Sequence, residues 1–107
     1  MIKIFSALAL ITPFLSIAGD INCGGTITMA MGGHNSCSEG KRLAFRTEKL
    51  TSKWQCSDDA TTDSVILSAL MSGKDTYVAT SNNSLTSGQS CTDLPNYQTV
   101  SYVIVYK

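Results

Sequence analysis

The chain is poor in most of what marks an enzyme or a nucleic-acid binder. It has one histidine, one tryptophan and two prolines, and its eight basic residues are balanced by eight acidic ones. Zero net charge with no basic run removes the electrostatic footprint of a nucleic-acid partner. A single histidine, His34, and no Gly-x-Ser-x-Gly sequence leave no plausible Ser-His-Asp set. The acidic residues show no pairing that suggests glycoside hydrolysis. The four cysteines, Cys23, Cys37, Cys56 and Cys91, are separated by 13, 18 and 34 residues, so no short Cys-x-x-Cys pair exists. Neither zinc nor any other cofactor is expected, and the chain is expected to be non-catalytic.

Long apolar runs are also scarce, and the one that exists lies at the N-terminus. Lys3, the run Ile4–Ile17 (broken by Thr12-Pro13) and the small-residue site Ser16-Ile17-Ala18 have the order of a secretory signal peptide. The run is short for a membrane span, which needs about 20 residues. Residues 1–18 are therefore expected to be a signal peptide, cleaved near Ala18, and residues 19–107 a single secreted domain without stable membrane insertion. All four cysteines fall in that domain. An even count in a short exported chain implies two disulfides, with three possible pairings. In so small a domain, cross-links typically worth about 2–4 kcal/mol each matter.

What is present is strand alternation and one helix. Gly25–Met31 alternates Thr26 and Thr28 with Ile27, Met29 and Met31, the period of a half-buried strand. Gly32–Ser36 is a turn by composition, and His34 within it is expected to be exposed and without a role. Lys41–Glu48 alternates again, with Leu43 and Phe45 inward and Arg42, Ala44 and Arg46 outward. Leu50–Cys56 forms a third strand and carries Trp54. Asp75–Thr80 is a fourth, and Tyr97–Lys107, rich in β formers, is the last. A polar loop, Ser81–Asn96, precedes it.

Between the third and fourth strands, Thr62–Ser72 has the pattern of a helix that stops at Gly73. Asp58 and Asp59 precede it, where carboxylates favour the positive end of the helix dipole, and Thr62 or Asp63 can cap it. Its apolar residues cover most of the circumference. The exceptions are Ser64, Ser68 and Ser72, which recur every four positions as one narrow stripe. A helix apolar nearly all round needs neighbours on both flanks. The expected arrangement is one flank on a small barrel, the other on copies of the chain, and the serine stripe lining what stays open. Three strands, a helix and two strands are the plan of an OB-fold, a mainly-β five-stranded barrel with a helix between strands 3 and 4. A small α+β sandwich fits the same string less well.

Several stretches in order then resemble a known family. Asp20–Ile27, with Cys23 just before the first strand, Leu50–Trp54, with its tryptophan after a basic residue, and Ser64–Gly73 are three of them. The fourth is Cys91, then five residues, then Tyr97 and Val100. Together they are similar to the receptor-binding B subunits of bacterial AB5 toxins, most closely the Shiga toxin B subunit. The resemblance implies a secreted, cell-surface glycan-binding OB-fold that forms a homopentameric ring around a helix-lined pore and carries a catalytic A subunit. It implies a Cys23–Cys91 disulfide, leaving Cys37–Cys56, a pair the family lacks. Cys37 precedes strand 2 and Cys56 ends strand 3, so an antiparallel hairpin brings both to one end. Other parts depart from the family: the acidic first hairpin is replaced by Gly32–Asn35, a strand-3 phenylalanine by Leu50, and glycines after the second cysteine by Leu94–Asn96. About seven residues around Cys56–Thr62 have no counterpart.

Trp54 is the family sugar-site residue that carries over. In one reading it packs in the core. In the other a sugar face lies on its indole, with Lys53, Gln55, Asp58 and Asp59 taking hydroxyls. The two aspartates are better placed as dipole partners of the helix. Asn82 and Asn83 in the long loop are further candidates. The alternative function is a monomeric secreted or periplasmic OB-fold protein that binds or inhibits another protein through the Ser81–Asn96 loop.

Overall fold

Alternation along the chain becomes a mainly-β structure with one helix and two disulfides. The computed structural model describes residues 21–80 and 90–107; the expected signal peptide and the loop residues Asn82 and Asn83 lie outside the described residues. The elements are β1 (Ile21–Asn22), β2 (Gly25–Met31), β3 (Ala44–Thr47), β4 (Leu50–Cys56), α1 (Ala60–Ser72), β5 (Asp75–Thr80), β6 (Gln98–Thr99) and β7 (Tyr102–Val105). They form one curled sheet. β2 pairs antiparallel with β3, β3 with β4, and β4 runs parallel to β6. β5 takes β1 and β2 in succession and pairs β7 as well, all antiparallel.

Seven strands stand where five were expected, and two local features account for the difference. Cys23 and Gly24 divide β1 from β2, which starts at Gly25. A Cβ on Gly24 would sit 2.5 Å from the Thr76 carbonyl oxygen, and Gly25 has φ +81°, so the chain turns there at a point where only glycine fits. The last strand is split because it changes partner. The Val100 amide donates to the Cys56 carbonyl of β4, and the next amide, Ser101, donates to Ala79 of β5.

Two apolar clusters fill the concave side. Ile27, Phe45, Ile66, Ala69, Val78 and Val100 form the main core under α1, and Cys23, Leu50 and Leu94 close one end. Buried polar groups inside are paired. Thr47 Oγ1 and Gln55 Nε2 both donate to the Cys23 carbonyl, and Thr80 Oγ1 donates to Gln55 Oε1. Thr76 Oγ1 donates to the Gly25 carbonyl. Ala44, expected to face outward, does so and is nevertheless buried, because a disulfide-bonded loop covers it.

The helix starts two residues earlier than the apolar pattern predicts, at Ala60, because Asp59 and not Thr62 or Asp63 is its cap. The Asp59 carboxylate accepts from the Thr62 amide at 2.8 Å. Gly73 ends it in the left-handed conformation, φ 68°, with its amide on the Ala69 carbonyl. Asp63 ties the first turn to the segment before β3: Leu43 N donates to Oδ1 at 3.2 Å, and Arg42 Nη1 lies 3.7 Å from Oδ2. Thr62, Ile66 and Ala69 are buried against the sheet.

The disulfides join Cys23 to Cys91 and Cys37 to Cys56, with sequence separations of 68 and 19. Loop-closure entropy grows with the logarithm of loop length, so removing Cys23–Cys91 is expected to cost about 1 kcal/mol more than removing Cys37–Cys56. Urea denaturation of the Cys23→Ser/Cys91→Ser and Cys37→Ser/Cys56→Ser double variants measures this. Equal losses, or a larger loss for the second pair, would contradict it.

Candidate functional site

Strand parity sets which side chains reach the convex face of β2, β3 and β4. Ile27, Phe45, Thr47 and Gln55 point inward and are buried. Arg46 and Trp54 therefore point outward, as do Ala44 and Cys56; Met29 and Met31, expected on the Ile27 face, join them because the β2–β3 register slips by one residue between Ile27 and Met29, which turns Ala30 inward instead. Cross-strand register sets Met29 opposite Arg46, and Met31 opposite Ala44, which in turn faces Cys56. One end of this outer row is roofed over. Cys37, Ala44 and Cys56 are buried there, with Met31, Trp54 and Tyr97 packed against them.

The roof is the segment between β2 and β3, and its backbone is unusual. Ser38 and Glu39 take successive left-handed conformations, φ 52° and 57°, ahead of Gly40 at 89°. Such conformations cost non-glycine residues on the order of 1–3 kcal/mol each and persist only when the surroundings impose them. Here the Cys37–Cys56 bond does so. His34, expected to be idle, is half-buried and lies flat on Tyr97, ring centroids 4.6 Å apart with an 11° interplanar angle. Its Nδ1 accepts from the Ser36 amide at 3.1 Å, and its Nε2 lies 3.3 Å from Tyr97 Oη. Tyr97 has φ 64° and is docked on Trp54: its amide donates to the Trp54 carbonyl, and Asn96 Oδ1 accepts from the Trp54 amide, both at 2.7 Å.

Trp54 is half-buried, and its ring is not bare. The Arg46 guanidinium stands over it, with Cζ 4.5 Å from the ring centroid. Arg46 Nη1 donates to the Thr51 carbonyl at 3.2 Å, and Nε is buried with no acceptor. The convex face thus presents a cation stacked on an indole, flanked by the Tyr97–His34 pair and by Met29, which is 45% exposed.

The other expected sugar contacts are not assembled around Trp54. Lys53 Nζ donates to the carbonyls of Thr92 and Leu94, both at 2.7 Å, and so pins the turn that holds Cys91. Gln55 is a correction: alternation turns it to the interior, where it is fully buried and both ends of its amide are bonded. Asp59 is spent on the helix cap. Asp58 is exposed in the turn before α1. Arg46, Asn96, Tyr97 and His34 were missed. Outward-facing Arg46 was legible from alternation, but its stacking on Trp54 depends on the irregular β3–β4 register between Phe45 and Thr47.

A second feature lies at α1. Ser64 and Ser68, with Thr61 and Val65, form one wall of a groove of about 550 Å³ whose other wall is Val103–Val105 of β7. Ser64 and Ser72 hydroxyls donate back to the carbonyls of Ala60 and Ala69. Beside this stripe the helix leaves Leu67 45% and Met71 85% exposed. No helix among the described residues is long and apolar enough to cross a membrane. No protein-family model, characterised protein or solved structure matches the chain.

The cap sets a pH dependence. Hydrogen bonds from Thr62, its amide first and then its hydroxyl, hold the Asp59 carboxyl below its ordinary value of 3.8, and Arg42 adds a smaller push the same way. A depressed folded value contributes stability that is present above the unfolded value and is lost as pH falls through the folded one. Asp59→Asn keeps an acceptor without the charge. It is expected to be less stable than the wild type at neutral pH, with the gap closing below pH ~4. Thermal melts of both proteins from pH 7 to 2.5 test this, and a gap that persists unchanged in acid would refute it.

Proposed function

We propose that the chain is a non-catalytic, secreted B subunit of an AB5-type toxin. It forms a homopentameric ring through α1 and β7, binds a cell-surface glycan at Trp54, and carries an A subunit. Several observations support an OB-fold identity. When β1–β2 and β6–β7 are each taken as one interrupted strand, five strands pair in the circuit 1-2-3-5-4-1. The 3–5 pair is parallel, and the helix lies between strands 3 and 4. Two disulfides suit an oxidising compartment.

The observation that carries the reading is the apolar flank of α1 that its own sheet leaves bare. Met71 and Leu67 are exposed on the side of the helix that also carries Ser64 and Ser68, and beside it β7, which among the described residues pairs only with β5, exposes Tyr102 and Ile104. An uncovered sheet edge next to an uncovered apolar helix face is a surface that associates, since each fully buried side chain of this size contributes about 1.5–3 kcal/mol.

Light scattering on the mature protein (residues 19–107) at micromolar concentration is expected to give a mass near five chains. Leu67→Glu with Met71→Glu is expected to give a folded monomer. A wild type that is monomeric removes the ring and leaves the monomeric protein-binding OB-fold. Independently, Trp54→Ala is expected to abolish glycan-array binding while the circular-dichroism spectrum and oligomer mass are kept. Unchanged binding would exclude Trp54 as the sugar platform.

A further inference from the structure

Arg46 occupies one face of the Trp54 indole, with Cζ 4.5 Å from the ring centroid. A neutral sugar takes that face only by displacing the guanidinium, which gives up the cation–π contact and returns a charge to solvent. The guanidinium itself is under-paired. Nη1 has the Thr51 carbonyl, and Nε is buried without an acceptor. The one ion pair among the described residues is Arg42 with Asp63, so no carboxylate neutralises Arg46 there. Because Nε is buried, a ligand can reach only the Nη2 side, and a partly desolvated cation with no counter-charge favours an anion there. A planar guanidinium fork is the side chain best matched to a carboxylate or sulfate.

From this juxtaposition we infer that the glycan taken at this face is anionic: a saccharide bearing a carboxylate or a sulfate, whose charged group sits on the open edge of Arg46. The inference rests on the Trp54 reading above and names the ligand class for that site. Arg46 holds its place on the indole and becomes the specificity-determining contact. The pyranose ring lies across the outside of the stacked pair, next to Met29, the register partner of Arg46. Charge, and not the fit of hydroxyls, is then the first requirement. That accords with Lys53 and Gln55 being committed to the protein's own carbonyls and hydroxyls.

The test uses matched saccharides that differ in one group: a sialyl-terminated oligosaccharide, its desialylated form, and a sulfated form of the same core. Binding is read by isothermal titration calorimetry at low and high salt, for the intact wild-type assembly and for Arg46→Gln, Arg46→Lys and Trp54→Ala. The wild type is expected to bind one or both anionic saccharides, more weakly as salt rises, and to ignore the neutral core. Arg46→Gln is expected to bind about tenfold more weakly or worse, with Arg46→Lys closer to Arg46→Gln than to the wild type. A preference between the carboxylated and sulfated members identifies the group the fork takes. Equal binding of neutral and anionic members, lost in Trp54→Ala, would overturn the anionic inference while leaving the Trp54 site standing. No binding of any member would overturn both. The comparison of wild-type ligands needs no variant, so a poorly folding Arg46→Gln does not blunt it.

Discussion

Cys23 is the junction on which the described fold depends. Its sulfur is bonded to Cys91, its amide donates to Val78 of β5, and its carbonyl accepts from Thr47 of β3 and Gln55 of β4. One residue thus gathers three strands and the turn that leads into β6. The site is fully buried, so each hydrogen bond there forms away from water and leaving any of its partners unmet would cost about 1–3 kcal/mol. The glycine pair that follows allows the junction to exist. Without the close approach of Gly24 to Thr76, the chain could not pass from β1 to β2 along β5.

The second disulfide has a different character. It does not close the interior; it lays the segment after β2 over the outer face of β3 and β4, burying Ala44 and setting His34 against Tyr97. That arrangement contains three non-glycine residues at positive φ: Ser38, Glu39 and Tyr97. Strain of this kind is tolerated where neighbouring bonds over-determine the backbone. Cys37–Cys56 on one side and the Tyr97 and Asn96 bonds to the Trp54 backbone on the other supply that constraint. The consequence is a rigid shoulder beside Trp54, and rigid shoulders suit recognition because they lower the ordering cost of binding.

Much of the architecture was legible because it follows from period alone. The residue pattern located β2, β4 and β5 at the bounds the structure shows, although a register slip in β2 turned Met29 and Met31 off the Ile27 face, and Gly73 marked the helix end through its need for a left-handed residue. Less legible was whatever depends on two segments meeting. Asp59 outcompeted Thr62 as the cap because its carboxylate reaches the Thr62 amide, a matter of backbone geometry and not of pattern. The last strand broke because Val100 and Ser101 serve different neighbours. The polar candidates beside Trp54 failed for a simpler reason. Adjacent strand residues face opposite sides, so Gln55 was bound to point away from its neighbour, and sequence proximity to Trp54 carried no spatial meaning.

This gives a rule for where function should be sought in such a small domain. Polar groups that look like ligands in the sequence are here largely consumed by the fold: Lys53 by the carbonyls of the Cys91 turn, Gln55 by Cys23 and Thr80, Asp59 by the helix. A domain that buries only about 60% of its unfolded surface has few side chains to spare, so what it leaves unmet is informative. Two such remainders stand out among the described residues: the guanidinium of Arg46, stacked on the indole with no carboxylate partner, and the apolar side of α1 around Met71. They are chemically unlike and lie on different elements, the convex face of β3–β4 and the helix with its groove against β7. A surface that self-associates through the helix would leave the Arg46–Trp54 stack on another element free to meet a ligand, and repetition of one weak site around a ring raises avidity without any new contact. In the assembly proposed above the two remainders would be complementary: one would supply the copies, and the other would give each copy something to hold.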